Sequence, residues 1–250
     1  MTAAPNPASA TGRAKSLRPR ARLAVAAGRF VAWTSRVVQF GTGSVIGGRV
    51  SLLIDRNLLS ELAASRDVVI VSATNGKTTT TKLLSSALGT SRPIVSNWLG
   101  ANMTPGIVAA LATANATDTA VLEVDERWVD SVLRATNANT VVLLNLSRDQ
   151  LDRTQEVRKL AEQWRIALKT TPPRTVVANA DDPLVTWAAL AAPNVVWVGT
   201  GQEWTADAAG CPACSGRIDF TDAGWACTAC DLRRPSVDVA LINGAIAING

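Results

Sequence analysis

Residues 67–84, DVVIVSATNGKTTTTKLL, set a β-branched run, a turn of small residues and a threonine-rich segment end to end. Val68, Val69, Ile70 and Val71 are apolar without alternation, the pattern of a parallel strand buried on both faces. Ser72, Ala73, Thr74, Asn75 and Gly76 form the turn, and a helical stretch begins at Lys77 and Thr78. A strand that feeds a tight turn into a helix N-terminus aims several backbone N–H groups and the positive end of the helix dipole at one point, where a phosphate chain would sit. Lys77 would neutralise the terminal phosphates and the Thr78 hydroxyl would hold Mg²⁺. The match to the P-loop pattern is partial, because the position five residues before Gly76 is Val71, not glycine. A threonine-rich helix N-terminus without a ligand is the alternative.

Composition removes whole classes of chemistry. The 250 residues suffice for one large α/β domain plus an insert. They contain no histidine and no tyrosine. Ser-His-Asp and Cys-His nucleophiles, His-ligated zinc and imidazole bases are therefore excluded from this chain. Carboxylates, Lys, Arg, amides, bound metal and backbone groups remain, a set suited to phosphoryl transfer. The net charge is +5 and the pI about 9.4, but six of the 25 basic residues lie within 13–29. The rest of the chain is close to neutral, which weakens the case for a nucleic-acid partner.

Residues 1–22, rich in Ala, Pro, Ser and Arg without an apolar period, read as a disordered basic extension. Their composition resembles a transit peptide; an unstructured extension or a misplaced start codon is the alternative. Residues 23–66 read as an N-terminal helical segment. Leu23, Ala27, Phe30, Val31, Thr34, Val37 and Val38 form a helical stripe expected to pack on the domain, with Arg22, Arg29 and Arg36 on the remaining surface. That helix is too short and too charged to span a bilayer, though not to lie on one. Gly41-Thr42-Gly43 and Gly47-Gly48 mark a flexible turn, and 58–64 a short helix.

Beyond the phosphate loop, Ile94-Val95 is a short strand, and Pro105 sits in the first turn of a helix over 106–112 capped by Thr104, a second candidate anion site. Residues 120–126 form a strand finishing in Glu123, Asp125 and Glu126, and 141–145 a strand finishing in Asn145. Polar residues at the C-terminal ends of parallel strands converge on the ligand crevice of an open α/β sheet. Glu123 or Asp125 is the natural Mg²⁺ partner across from Thr78. A helix over 156–168, a strand over 175–178 and Asn179-Ala180-Asp181-Asp182-Pro183 follow, and 237–248 carries a hairpin signal at Asn243-Gly244.

The four cysteines all lie in one segment, as Cys211-Pro-Ala-Cys214 and Cys227-Thr-Ala-Cys230. Two such knuckles place four thiolates tetrahedrally around Zn²⁺ at about 2.3 Å. The alternative is two disulfides, which a reducing cytosol would not keep oxidised. A site with four thiolate ligands leaves no open position, so its zinc is structural.

ATNGKTTT, LEVDE, NLSRDQLDR and NADDP, in this order and spacing, resemble the central ATPase domain of the Mur ligase superfamily. Amino-acid-adding members usually carry a histidine in NxxxDHLDRH; here Gln150 and Thr154 stand in that motif. RDQLDR and the cysteine segment are similar to the MurT-type branch, the synthetase subunits of lipid II isoglutaminyl synthases. The resemblance, covering about 41–250, implies an α/β fold with a mostly parallel sheet flanked by helices and an inserted four-cysteine zinc ribbon. It divides the chain into a central ATP-binding domain at 67–205, the ribbon at 206–235, and a return to the central domain at 236–250. The family's C-terminal domain is absent from this sequence, so the chain is expected to be truncated and inactive by itself, its catalytic residues unknown.

The resemblance further implies ATP, Mg²⁺ and Zn²⁺ as cofactors. It assigns Thr74, Asn75, Gly76, Lys77, Thr78 and Thr79 to the phosphates, Asn179 and Asp182 to the adenine end, and Thr78 with Glu123 to Mg²⁺. Ala73 stands where Mur ligases commonly have glycine, and the lysine that many of them carbamylate has no counterpart. The implied reaction is ATP-dependent amidation of the D-glutamyl α-carboxylate in the lipid II stem peptide through an acyl phosphate, in the cytoplasm or at the inner face of the cell membrane. Releasing ammonia from glutamine needs a cysteine activated by histidine. With no histidine and every cysteine assigned to zinc, that step falls to another polypeptide, by resemblance a GatD-type glutamine amidotransferase. The alternatives are another amide ligase of the superfamily, such as a folylpolyglutamate synthase-like enzyme, or a nucleic-acid-binding zinc-ribbon ATPase; no nucleic acid is expected in the preferred reading.

Overall fold

The computed structural model describes residues 17–37, 44–97, 101–114, 119–147, 154–201, 208–222, 224–242 and 244–248. The β-branched run becomes β1 (Asp67–Ser72), which lies inside an eight-stranded sheet. It pairs in parallel with β3 (Thr119–Glu123) on one side and β4 (Thr140–Leu143) on the other. Beyond β3 lies β2 (Ile94–Ser96); beyond β4 lie β5 (Thr175–Asn179), β6 (Val195–Gly199), β9 (Val239–Ile242) and β10 (Ala245–Ile248). All these pairings are parallel except β9–β10, the hairpin expected around residue 244.

Both faces of β1 are apolar because both are covered. Val68 and Ile70 point into the main core with Leu122, Val141, Val176 and the buried Trp164. Val69 and Val71 point the other way, joining Val121, Leu84 and Leu88 under α4 (Lys77–Gly89). The main core is roofed by α3 (Leu58–Ala63), α5 (Thr104–Thr113), α6 (Val129–Thr136), α7 (Thr154–Thr170) and α8 (Pro183–Ala189). Trp164 anchors this layer, fully buried, with its indole N–H donating to the Glu126 carbonyl at 2.8 Å.

The N-terminal segment differs from the sequence expectation in three ways. Helix α1 (Pro19–Val37) begins inside the stretch expected to be disordered, and Arg18 just before it pairs with Glu61 at 2.7 Å. The helix packs on the domain as expected but by another face: Ala21, Ala24 and Gly28 are buried, whereas of the expected stripe Leu23, Phe30 and Val37 are exposed and Ala27, Val31 and Thr34 only half-buried. Gly47 and Gly48, expected in a turn, lie within α2 (Ser44–Ile54). Gly41–Gly43 and Val38 fall outside the described residues.

One cause links the last two differences. A Cβ on Gly47 would stand 2.5 Å from the Gly28 carbonyl, and one on Gly48 would stand 1.9 Å from the Pro105 carbonyl. Helices that approach this closely select their smallest residues for the contact, so the bulky side chains of α1 are left on the far side. Ser51 completes the crossing, its hydroxyl donating to the Ala24 carbonyl at 2.9 Å. Gly48→Val should overpack the α2–α5 contact and cost about 1–3 kcal/mol. A lowered urea midpoint with an unchanged slope is the expected result; an unshifted midpoint would contradict the packing.

Residues between β6 and β9 form a separate two-stranded unit, β7 (Ile218–Thr221) antiparallel to β8 (Gly224–Cys227). Cys211, Ile218, Trp225 and Leu232 make its own small core, with Trp187 of α8 packed against it. At the start of α5 the structure puts Met103, not Thr104, at the cap position, with no side-chain cap bond. Strand β3 ends at Glu123, leaving Asp125 and Glu126 in the loop that follows.

Candidate nucleotide and metal sites

The turn after β1 is held by two asparagines facing each other. Asn145, just past the end of β4, takes the Asn75 N–H on Oδ1 at 2.9 Å and donates its side-chain amide to the Asn75 carbonyl at 2.9 Å. The Thr74 N–H meets the Asn145 carbonyl at 3.0 Å, Ser147 N–H donates to Thr74 Oγ1 at 3.1 Å, and the Asn75 amide donates to Ser147 Oγ at 3.0 Å. Gly76 then takes φ = +83°, a conformation glycine reaches without steric cost, and turns the chain into α4. The first intrahelical bond runs from Thr80 N–H to the Gly76 carbonyl. The N–H groups of Lys77, Thr78 and the exposed Thr79 precede it and have no acceptor within the helix. The N–H groups of Lys77, Thr78 and Thr79 are thus left for an anion at the helix N-terminus, while those of Thr74 and Asn75 are taken up by Asn145.

Lys77 folds back across this turn. Its ammonium donates to the carbonyls of Ala73 and Thr74, the latter at 3.0 Å, and pairs with Glu126 Oε2 at 3.2 Å. Both side chains are largely shielded, 13% and 17% exposed. Glu126 thus occupies the charge that a phosphate would claim. Glu126→Gln should remove that competition and tighten ATP binding by about 1 kcal/mol, roughly fivefold in Kd. Calorimetry on the variant tests this; weaker binding would mean that Glu126 serves the bound state instead.

The Thr78 hydroxyl donates to Glu123 Oε1 at 3.0 Å. Glu123 is 2% exposed and its second oxygen, Oε2, is buried with no hydrogen-bond partner. An orphaned carboxylate oxygen in a dry site is costly. A Mg²⁺ beside Thr78 would satisfy it, so the residues present fit the ion. Glu123 is fixed through its backbone: Asn97, itself buried, donates to the Glu123 carbonyl at 2.7 Å and accepts the Glu123 N–H at 2.8 Å. Asp125 is turned elsewhere, its Oδ1 accepting the Arg127 N–H at 3.1 Å.

The two residues expected at the adenine end have different surroundings. Asn179 is half-buried at the end of β5, accepting the Asp181 N–H on Oδ1 at 2.9 Å. Asp182 is 3% exposed and both its oxygens are engaged. Oδ1 caps α8 through the N–H groups of Leu184 and Val185, and Oδ2 accepts the Leu146 N–H at 2.9 Å. It positions the loop after β4. Residues 148–153, which carry the RDQLDR motif and Gln150, lie outside the described residues, as do the side chains of residues 154–156.

The four cysteine sulfurs all lie within 4.8 Å of one another. Cys211 to Cys230 is 3.6 Å and Cys214 to Cys227 is 3.5 Å, well beyond a disulfide bond. A tetrahedron with zinc–sulfur bonds of about 2.3 Å has edges of about 3.8 Å, close to these separations. Backbone N–H groups support the thiolates, Gly216 toward Cys214 and Ala229 toward Cys227, each at 3.4 Å. The Ala229 contact draws the Cys227 thiol down to about 7, and burial pushes Cys211 up to about 12. The donor set fits Zn²⁺ in a closed, structural site.

This unit is bolted to the loop after β5. The Trp225 indole donates to the Ala180 carbonyl at 2.9 Å, and the Arg234 guanidinium pairs with Asp181 at 2.6 Å. Asp181 also accepts the N–H groups of Thr200 and Gly201, at 2.7 and 2.8 Å. The contacts of Asn97, Glu126, Asp181 and Arg234 were not assigned from sequence. A polar residue directly after an apolar strand was the available signal for Asn97; nothing local marks Arg234.

The geometry is matched by family relationships. The family model of the Mur ligase middle domain matches residues 71–219. The lipid II isoglutaminyl synthase (glutamine-hydrolyzing) subunit MurT of Streptococcus pneumoniae is 30% identical over 225 residues, covering 81% of this chain and 49% of that protein. The MurT subunit of Staphylococcus aureus is 32% identical over 161 residues, 63% of this chain and 37% of the relative. The chain thus spans half or less of the length of these relatives. Among solved structures, a pseudomurein peptide ligase type C from Methanothermus fervidus aligns with TM-score 0.57 and 22% identity over 74% of this chain and 40% of its own. The MurF ligase of Thermotoga maritima, solved in complex with ADP, aligns with TM-score 0.52 and 22% identity over 60% of this chain and 36% of its own. At these identities the two structures establish the fold alone. With the middle-domain match spanning more than half of its residues, this chain belongs to the Mur ligase family.

Proposed function

We propose that this chain carries the ATP-binding part of the synthetase subunit of a lipid II isoglutaminyl synthase. In this reading Thr74, Asn75, Gly76, Lys77, Thr78 and Thr79 hold the phosphates, Thr78 and Glu123 hold Mg²⁺, and Asn179 lies toward the adenine, with Asp182 shaping the same loop. Mg²⁺ when bound would offset charge on the phosphate oxygens. Lys77 would leave Glu126 for the terminal phosphate, and the backbone N–H groups at the start of α4 would orient the chain for in-line transfer. The γ-phosphate passes to the D-glutamyl α-carboxylate of the lipid II stem peptide, and ammonia then displaces phosphate to leave the amide. The ammonia comes from a separate GatD-type amidotransferase, a reading supported by the lack of any histidine within these 250 residues to activate a cysteine. The reaction belongs to the cytoplasmic side, at the inner face of the membrane.

The observation that carries this reading is the coincidence of two sites in one domain: a phosphate-type turn with an orphaned Glu123 oxygen, and a four-cysteine cluster bolted to the loop after β5. Similarity to the MurT subunit of Streptococcus pneumoniae over 81% of this chain supports amidation among Mur ligase reactions. The test is depletion of the chain in its host, followed by mass spectrometry of the stem peptides. Isoglutamine should give way to glutamate at the second position. Unchanged amidation would overturn the proposal.

A further inference from the structure

Helix α1 presents an apolar face that no described residue covers. Leu23, Phe30 and Val37 are each 63% exposed and Trp33 is 57% exposed, with exposed Ala26 between them. At about 100° per residue these five positions fall within an arc of roughly 80°, opposite the buried Ala21, Ala24 and Gly28. Phe30 and Trp33 lie against each other, ring centroids 6.2 Å apart, as one aromatic ridge. Exposed Arg22 and Arg29 border the stripe on one side and exposed Arg20 on the other; Arg29 and Arg20 each spend one guanidinium N–H on a backbone carbonyl, of Ala112 and Ile54, and keep their remaining donors at the surface. Neither α1, PRARLAVAAGRFVAWTSRV, nor α2, SVIGGRVSLLI, contains an acidic residue. Helix α2 adds exposed Ile46 and Leu53 together with exposed Arg49.

We propose that α1 docks this stripe on an anionic lipid surface, lying in the plane of the headgroups. An aromatic and aliphatic strip edged by arginines is the composition that such a surface accepts: the rings and Leu23 enter the headgroup–acyl boundary while guanidinium groups meet lipid phosphates. No described helix is long and apolar enough to cross a membrane, so the contact is peripheral. A second copy of the chain is a poorer occupant, because stacking two such faces would bring arginines together with no carboxylate on either helix to balance them. The packing agrees with an outward role, since the glycine crossing with α2 holds the helix firmly by its opposite side. None of these residues belongs to the nucleotide turn or the cysteine cluster, so the inference goes beyond the proposed reaction and stands apart from it.

The test is co-sedimentation of the chain with vesicles free of any peptidoglycan precursor, so failure here leaves the amidation reading untouched. The chain should sediment with phosphatidylglycerol-rich vesicles at low salt and stay in solution with phosphatidylcholine alone. Phe30→Ser/Trp33→Ser should weaken binding at least about tenfold. Arg22→Glu should weaken it and reduce its salt dependence, while Leu83→Ser, at an exposed apolar position on α4, should leave it unchanged. Retained zinc content and melting temperature would show that the variants are folded. Absence of binding, equal binding to neutral vesicles, or indifference to the Phe30/Trp33 change would overturn the proposal. So would self-association in ultracentrifugation that this same double change abolishes, which would make the face an interface between copies.

Discussion

Lys77→Ala should reduce ATP affinity by at least about a hundredfold, since charge-assisted bonds to phosphate contribute about 1.5–3 kcal/mol each and the ammonium can make more than one. The fold should survive. The substitution leaves Glu126 without its partner, but that carboxylate is 17% exposed and water can take the place of the ammonium. The turn itself is set by the Asn75–Asn145 exchange and by Gly76, neither of which needs the lysine. Titration calorimetry with MgATP, beside a melting curve, separates the two effects. Wild-type affinity in the variant would remove the phosphate assignment. The opposite responses expected of Lys77→Ala and Glu126→Gln make a paired test: one removes the ligand's countercharge, the other its competitor.

Removing zinc should have the larger effect on structure. Four-thiolate sites of this kind contribute on the order of 10 kcal/mol to local folding, and the core beneath, among the described residues, is made of Cys211, Ile218, Trp225 and Leu232 with partly buried neighbours. A chelator, or Cys214→Ser, should therefore unfold residues 208–234. The effect should not end there. Trp225 donates to the Ala180 carbonyl and Arg234 to Asp181, so the loop after β5 loses two anchors when the ribbon opens. Hydrogen exchange should rise in the ribbon and around 180–182, while β1 and α4 stay protected. Elemental analysis should find one zinc per chain. Absence of metal in protein purified under reducing conditions, or an intact disulfide on mass analysis, would overturn the assignment.

Strand β1 and the cysteine knuckles were legible because each is a local pattern with a local cause. Val68 to Val71 can be apolar on both faces only in a covered strand, and two CxxC pairs of this spacing bring four sulfurs together whatever surrounds them. The hairpin near residue 244 follows from turn chemistry in the same way. Helix α1 shows where this reasoning stops. Its apolar stripe is real, yet helical periodicity says only that the apolar residues share a face, not which partner that face meets.

What the sequence determined by itself was the order of strands and helices around 67–84, which four cysteines come together and the exclusion of histidine chemistry from these residues. These depend on residue type and on separations of a few positions. Only the tertiary structure decided that Glu123 rather than Asp125 meets Thr78, that Glu126 holds Lys77, and that Asp182 accepts the Leu146 N–H. It also decided that Gly28 and Gly47 turn the bulky side of α1 outward. Each of these choices joins residues far apart in the chain, and is made by which oxygen or carbonyl lies within about 3 Å once the sheet has closed. Periodicity and propensity do not encode such distances.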